Sequence, residues 1–547
     1  MLTIGILSLS ALMFRSNQVV VRSALVKSST KELLTSQRPL TGYHPDGWGE
    51  SSHPPPEQES SNDKQGIYND TETPVVFQNA SHPMSCGYDV ERLRRWQQKY
   101  KLQDKFEYSK RYIQPIRQNI PRKSMTKLDQ QFLAEEAQVV DTSRTYQPQH
   151  CPEPLAVPVS KSPFPATVNA SDFMFGVSTT YKRFTDPAIN MINEWAYWLT
   201  DGKGNSNEGK LILMLLDASF EELTDASDTL KDAGIDVEVY RSDPTMIMAV
   251  RYLTLVPTMY NHPDRKWKKW LVICDDDTFF PSVQGLIERL EKYDHTFPMY
   301  IGTFSEDVFN IARHGPQAFG GAGVFLSVPM AEMIDESYED CKTEEKIREA
   351  NSGWGPQGDI ILRRCIEDNT ETKLTLLNDL WQLDMYGDPS GFYESGIKPL
   401  SVHHYRGGPW HIAHPLYYTQ VAHYCGEDCT LQRFQTADDF IISNGFSVAH
   451  YPEGIDFDVH QFERTFAPAP EDKGWNYDFI MGPQRPSLAK TGRKLSWDLQ
   501  EATTLEDGSV SQVYLRKHSD WRWKKEDGSP MSEMDGIVEL VWLPARD

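Results

Sequence analysis

Between residues 166 and 424, short and almost wholly apolar runs alternate with longer stretches whose apolar residues recur at helical spacing. The runs are DFMFGVSTT (172–180), LILMLLD (211–217), DVEVY (236–240), KWLVICDDD (269–277) and MYIGTFS (299–305), and FTDPAINMINEWAYWL reads as one of the intervening helices. Strands without polar alternation are buried on both faces, so the runs predict an α/β sheet covered by helices on either side. LILMLLD and WLVICDDD both end in Asp. That places carboxylates at the carboxyl ends of strands, where open α/β sheets bind ligands.

The flanks read differently. MLTIGILSLSALMF opens the chain and stops at Arg15, short of the ~20 residues a spanning helix needs. That favours an ordinary apolar segment, and the functional alternative for residues 1–35 is a signal-anchor. Residues 36–85, which include SSHPPPEQESSNDKQG, lack an apolar period and read as a solvated stem. Residues 86–165 are predicted to be helical from Cys86 to about Leu133 (DVERLRRWQQKYKLQDKFEYSKRYI), then Pro-rich (CPEPLAVPVSKSPFP) up to a boundary before the sheet domain at 166–424. From 425 to 547, GSVSQVYLRK and IVELVWLP, with Asp507-Gly508 and Asp527-Gly528, predict hairpins in a small, mostly β appendage.

Composition narrows the function. With 39% hydrophobic and 11% aromatic residues, 547 residues can build substantial cores in two or three domains. The net charge is −23, and its distribution is uneven: 19 basic residues face 16 acidic ones through His150, and 36 face 62 after it. A surface of that sign repels a phosphate backbone, which argues against nucleic acid as a partner. The seven cysteines allow three bridges and one free thiol in an oxidising compartment, and none has zinc-site spacing. Sequons at Asn69, Asn79 and Asn169 fit a lumenal glycoprotein.

The strongest chemical signal is WLVICDDDTFF, Trp270 to Phe280. Three successive carboxylates at the end of a buried strand repel one another, and a divalent cation removes that cost. Hard oxygen ligands suit Mg²⁺ or Mn²⁺, which can bridge the phosphates of a nucleotide diphosphate. The bland alternative is a solvated acidic turn. Thr278-Phe279-Phe280 after the triplet lacks the alternation of a calcium loop, and Phe279 stands where an aspartyl-phosphate phosphatase wants Thr or Val, which leaves a phosphohydrolase as the weaker rival.

Strand-DDD, FGGAGVFLS (319–327), GPQGDIILRRC (355–365) and SVHHYRG (401–407), in that order, resemble the Fringe-like beta-1,3-glycosyltransferases, and their fungal members most. The likeness covers roughly residues 170 to 420. It implies a Rossmann-like GT-A domain that transfers a sugar from a UDP-sugar, with inversion and with Mn²⁺ (or Mg²⁺), to a glycan or glycoprotein acceptor. It also implies residence in the Golgi or another secretory lumen as a type II, single-pass membrane protein. By resemblance, Asp277 and His403 (favoured over His404) are metal ligands, and Asp275 and Asp276 contact ribose and sugar. Thr179, Thr180 and Arg183 hold the nucleotide, Gly320 and Gly321 give close approach to the donor sugar, and Asp359 is the general base. The family's acidic pair before this helix is here Gly358-Asp359, and the lost acid keeps open a sugar-nucleotide-binding protein without turnover. Asp359 could instead cap the helix. A family-like disulfide would join Cys341 to Cys365 and leave Cys274 free, and Trp354 and Trp410 could stack on sugars or pack in the core.

Overall fold

The apolar runs of the central segment become a seven-stranded sheet, ordered Leu374–Leu376, Tyr300–Gly302, Val324–Ser327, Trp270–Ile273, Phe173–Thr180, Lys210–Leu216, Asp236–Arg241. This computed structural model describes residues 89–133, 137–144, 153–467 and 477–547. The last four strands of the sheet run parallel, and Val324–Ser327 lies antiparallel between Trp270–Ile273 and Tyr300–Gly302. With the first strand at its centre and one reversed strand beside the acidic turn, this is a GT-A arrangement.

Side-chain alternation divides the core into two layers. Phe173, Phe175, Val177, Leu211, Leu213 and Leu215 face one layer with Trp195, Trp198 and Phe280. Met174, Ile212 and Met214 face the other, with Leu253, Val256 and Met259 of the helix Met248–Tyr260. Both layers are dry, which is why the strand sequences show no polar alternation. Every predicted run in this domain forms a strand.

The flanks depart from the sequence reading. Among the described residues of the predicted N-terminal helix, only Val90–Lys99 is helical; Lys105–Gln118 is a fourteen-residue strand. Its charged residues imitate an amphipathic helix face, but Phe106, Tyr108, Tyr112 and Ile113 are buried, and pairing on both edges decides the outcome. One partner is Gly536–Trp542, parallel and in register from Glu107↔Gly536 to Ile113↔Trp542. The N-terminal region and the β-rich appendage thus share one ten-stranded sheet, which also takes in Leu495–Thr504 and Val510–Arg516, joined through Asp507-Gly508. Trp542, Tyr514 and Phe434 lie in its core.

Cys341 bridges Cys365, and Cys274 is free and buried. A second bridge, Cys425–Cys429, was not anticipated. Among the described residues no helix is long and apolar enough to cross a membrane. The candidate signal-anchor (1–35) and the stem (36–85) lie outside them.

The Cys341–Cys365 bridge closes a loop of sequence separation 24 around the helix Gly358–Asn369. Replacing both cysteines by Ser should lower unfolding free energy by about 2–4 kcal/mol. Guanidinium titration of both proteins checks this, and an unchanged midpoint would show that the bridge constrains nothing.

Candidate active site

The acidic turn begins where the strand Trp270–Ile273, buried throughout, reaches the sheet's edge. Thr278 shapes it. The Asp275 N–H donates to Thr278 Oγ1 (3.0 Å), and that hydroxyl donates to the Gly321 carbonyl (2.8 Å). Phe279 and Val402 then exchange backbone hydrogen bonds of 3.0 and 2.9 Å, which lays the residue after Val402, His403, against the carboxylates. Of the four motifs recognised separately in the sequence, the acidic turn and SVHHYRG therefore meet through backbone pairing, and the glycine turn joins them through the Thr278 hydroxyl.

Asp276 is fully engaged. Arg183 donates to both of its oxygens, from Nε (2.6 Å) and Nη2 (2.8 Å), and the Thr179 hydroxyl donates to Oδ2. Thr180 caps the short helix Tyr181–Phe184 by accepting the Arg183 N–H (3.2 Å), which sets the position of that arginine. Arg183 Nη2 also lies 3.8 Å from Asp277 Oδ2.

Asp275, Asp277 and His403 converge, with one ligand atom from each lying within 4.8 Å of the others. His403 Nε2 is 3.0 Å from Asp277 Oδ1 and 3.6 Å from Asp275 Oδ2. On the other side of the ring, Nδ1 is 3.3 Å from the Gln382 carbonyl. A carbonyl only accepts, so Nδ1 carries its proton and Nε2 is the nitrogen offered to the carboxylates. A Cβ at position 321 would lie 2.2 Å from Nδ1, so Gly321 makes room for the ring. His404 turns away, to Asp384 (3.0 Å), with its ring stacked 3.9 Å from Trp410. Of the two histidines, His403 is the one that reaches Asp275 and Asp277.

Electrostatics mark the same point. Burial at the cleft floor and the neighbouring carboxylates push Asp275 up to about 6. Burial also acts on Asp277, but the adjacent His403 reverses it and holds that carboxyl well below its usual range. Burial disfavours the imidazolium of His403, yet Asp277 and Asp275 raise it to about 9. Two oxygen ligands and a neutralisable imidazole on one point are a donor set that Mn²⁺ or Mg²⁺ accepts. Asp275, its side chain 44% exposed, leaves that point open to the cleft.

Asp359 stands on the first turn of Gly358–Asn369 without capping it: the N-cap residue is Gln357, and no side chain caps the end. Instead Asp359 Oδ1 accepts the Gly320 N–H (3.3 Å). Burial, with the Asp275 charge adding to it, raises Asp359 to about 7, while the Tyr252 phenol and the Gly320 N–H act against the rise. The absent acid at 358 has a steric reason. A Cβ there would come within 2.6 Å of Tyr252 Cβ and Cγ, so no acid fits beside this tyrosine. Tyr252 lies on a helix far away in sequence, and nothing local signals it. Trp354, close before Asp359, is 71% exposed with Arg313 over its ring (4.1 Å), whereas Trp410 stacks between His404 and Tyr386.

Sequence reasoning missed Thr278 as the organiser of the turn, Asp384 as the anchor of His404, and Tyr252. A second acidic group, Glu238, His262 and Asp264, closes around the Lys210 ammonium, which lies 3.2 Å from Glu238 and 3.4 Å from Asp264. Lysine supplies the cation there.

Residues 223–385, which hold the acidic turn, the glycine turn and Asp359, match the family model described as Fringe-like. The chain carries a Fringe-like domain. This domain is that of a glycosyltransferase. No curated protein matches the chain. Among solved structures, the chain is similar to mouse xyloside xylosyltransferase 1 in its apo form, at 10% identity and a TM-score of 0.29, over 42% of this chain and 97% of that one. It is similar also to the mannosyltransferase PcManGT from Pyrobaculum calidifontis in complex with GDP-Man and Mn²⁺, at 11% identity and 0.24, over 40% and 59%. A third is the apo glycosyltransferase GlyE of Streptococcus pneumoniae TIGR4, at 14% and 0.25, over 38% and 45%.

Because Gly358 of the Fringe-like domain lies against Tyr252, Gly358→Ala should cost about 1–3 kcal/mol of stability. In a Tyr252→Ala background most of that penalty should vanish. Denaturant titrations of the four proteins test the pair, and additive penalties would place the strain elsewhere.

Proposed function

We propose that this glycosyltransferase moves a sugar from a UDP-sugar to a hydroxyl of a glycan or glycoprotein, inverting the anomeric carbon to give a beta-1,3 linkage, with Mn²⁺ (or Mg²⁺) at Asp277 and His403. The observation that carries the reading is the convergence of Asp275, Asp277 and His403 on one point, with Asp359 beside the glycine turn that borders it. Held there, the cation would supply positive charge for the departing diphosphate.

The remaining work falls to side chains. Arg183 and Thr179 hold Asp276, and so fix the turn against which the nucleotide lies. Asp359 takes the proton of the acceptor hydroxyl as its oxygen attacks the anomeric carbon, and the bond to the diphosphate oxygen breaks with its electron pair. A carboxyl raised to about 7 is matched to that task, since it ionises close to neutral pH and binds the proton more strongly than an ordinary carboxylate. The two disulfides among the described residues support a secretory compartment, and we extend the proposal to a lumenal, type II protein.

Asp277→Ala should abolish the Mn²⁺-dependent thermal shift given by UDP-sugars while the fold survives. For the unmutated protein that shift corresponds to about 2.7 kcal/mol when ligand is at a hundred times its dissociation constant. A mutant that keeps the shift removes the metal assignment. Release of inorganic phosphate from simple esters, without sugar transfer, would favour the phosphohydrolase.

The base assignment predicts a pH profile. A protonated Asp359 cannot accept a proton, so kcat should fall about tenfold per pH unit below about 7 and level off above it. Asp359→Asn should lose about 10²- to 10⁴-fold in kcat, lose the acid limb, and bind donor as before. Weak donor binding with normal turnover per bound donor would move the base elsewhere.

A further inference from the structure

A cavity of about 650 Å³ opens between the transferase sheet and the ten-stranded sheet, and none of its lining residues belongs to the site above. Its floor is Tyr197 of the helix Met191–Leu199, and its far wall is Tyr417, His423 and Tyr424, close to the end of the strand Leu495–Thr504. Its volume lies within the ~300–1,000 Å³ of small-molecule sites, and it has room for a short oligosaccharide.

The lining has a definite chemistry. Four rings, three phenols and an imidazole, border one space, with His423 edge-on to Tyr197 at 5.5 Å. The Tyr197 hydroxyl is committed to the Pro281 carbonyl (3.1 Å). Among the described residues no side-chain hydrogen bond occupies the Tyr417 or Tyr424 hydroxyls or either ring nitrogen of His423, and all three residues line the cavity. Burial holds His423 below its ordinary range, hence neutral. The Asp201 carboxylate is spent within its own turn, on the N–H groups of Lys203 and Asn205 and on the Asn205 amide. Lys203 is the sole Lys or Arg in the lining, and it is exposed.

Phosphate or nucleotide recognition needs convergent cations, and a greasy ligand would leave the phenols and imidazole unsatisfied. A sugar offers apolar C–H faces for aromatic rings and hydroxyls for neutral polar edges, and it matches both halves of this lining. We propose that this cavity binds a neutral oligosaccharide at a site separate from the reaction centre. Such binding is a function beyond the transfer reaction and does not depend on it. The floor is nevertheless connected to that centre: Tyr197 stacks on Phe279 (5.1 Å), which follows the acidic triplet and pairs with Val402 beside His403.

The test is saturation-transfer NMR on the full chain in chelator, with neutral oligosaccharides of glucose, galactose, mannose and N-acetylglucosamine at millimolar concentration. At least one series should bind, and Tyr417→Ala and His423→Ala should each weaken it about tenfold. Asp277→Ala should leave it unchanged, so failure here is distinct from failure of the metal or donor assignment. Tyr417→Phe, which keeps the ring, serves where the alanine variant does not fold and should weaken binding less. No binding by any neutral series overturns the proposal. So does binding lost in Asp277→Ala but kept in the cavity variants, which would place the sugar in the catalytic cleft. Preference for anionic saccharides that depends on Lys203 would overturn the neutral class.

Discussion

Three carboxylates on consecutive residues at the end of a dry strand cannot all keep their charge unless positive charge is brought to them. Much of the surrounding structure is a response to that constraint. Arg183 takes both oxygens of Asp276, and Thr179 adds a hydroxyl. His403, delivered by the Phe279–Val402 pairing, meets Asp277 and remains protonated far above its ordinary range. What is left over is Asp275, pushed up and open to the cleft. The protein thus compensates its charges with an arginine, a hydroxyl and a proton on His403.

The transferase sheet was legible because its strands are buried on both faces, and short uninterrupted apolar runs bounded by helical stretches fit little else than such strands. The candidate site was legible because its parts lie at strand and helix ends marked by unusual residues: an acidic triplet, paired glycines, paired histidines. The flanks were misread for the opposite reason. Lys105–Gln118 carries its charges where a helix would expose them, and its true partner lies at the other end of the chain, beyond any local window. Tyr252 was invisible for the same cause, since its effect on Gly358 exists only once a helix from one part of the chain packs on the start of another.

That steric contact changes how the motif should be understood. A missing acid in a resembling family looks like loss of function when only sequence is compared. Here the position is occupied by a neighbouring ring, and the remaining carboxyl is raised by burial with the Asp275 charge adding to it.

The parallel pairing of Lys105–Gln118 with Gly536–Trp542 has a consequence for synthesis. The Tyr108 hydroxyl meets Glu539 across a sequence separation of 431. At ~5–20 residues per second a ribosome takes on the order of a minute to supply that second strand. Throughout that time an edge bearing buried-type aromatics stays unpaired and able to join other chains. The transferase sheet, whose strands all lie between, is complete while the translating polypeptide still lacks its closing strand. Nascent protein thus carries a finished domain beside an unfinished one, and it is the second that calls for shielding by chaperones until the final residues emerge.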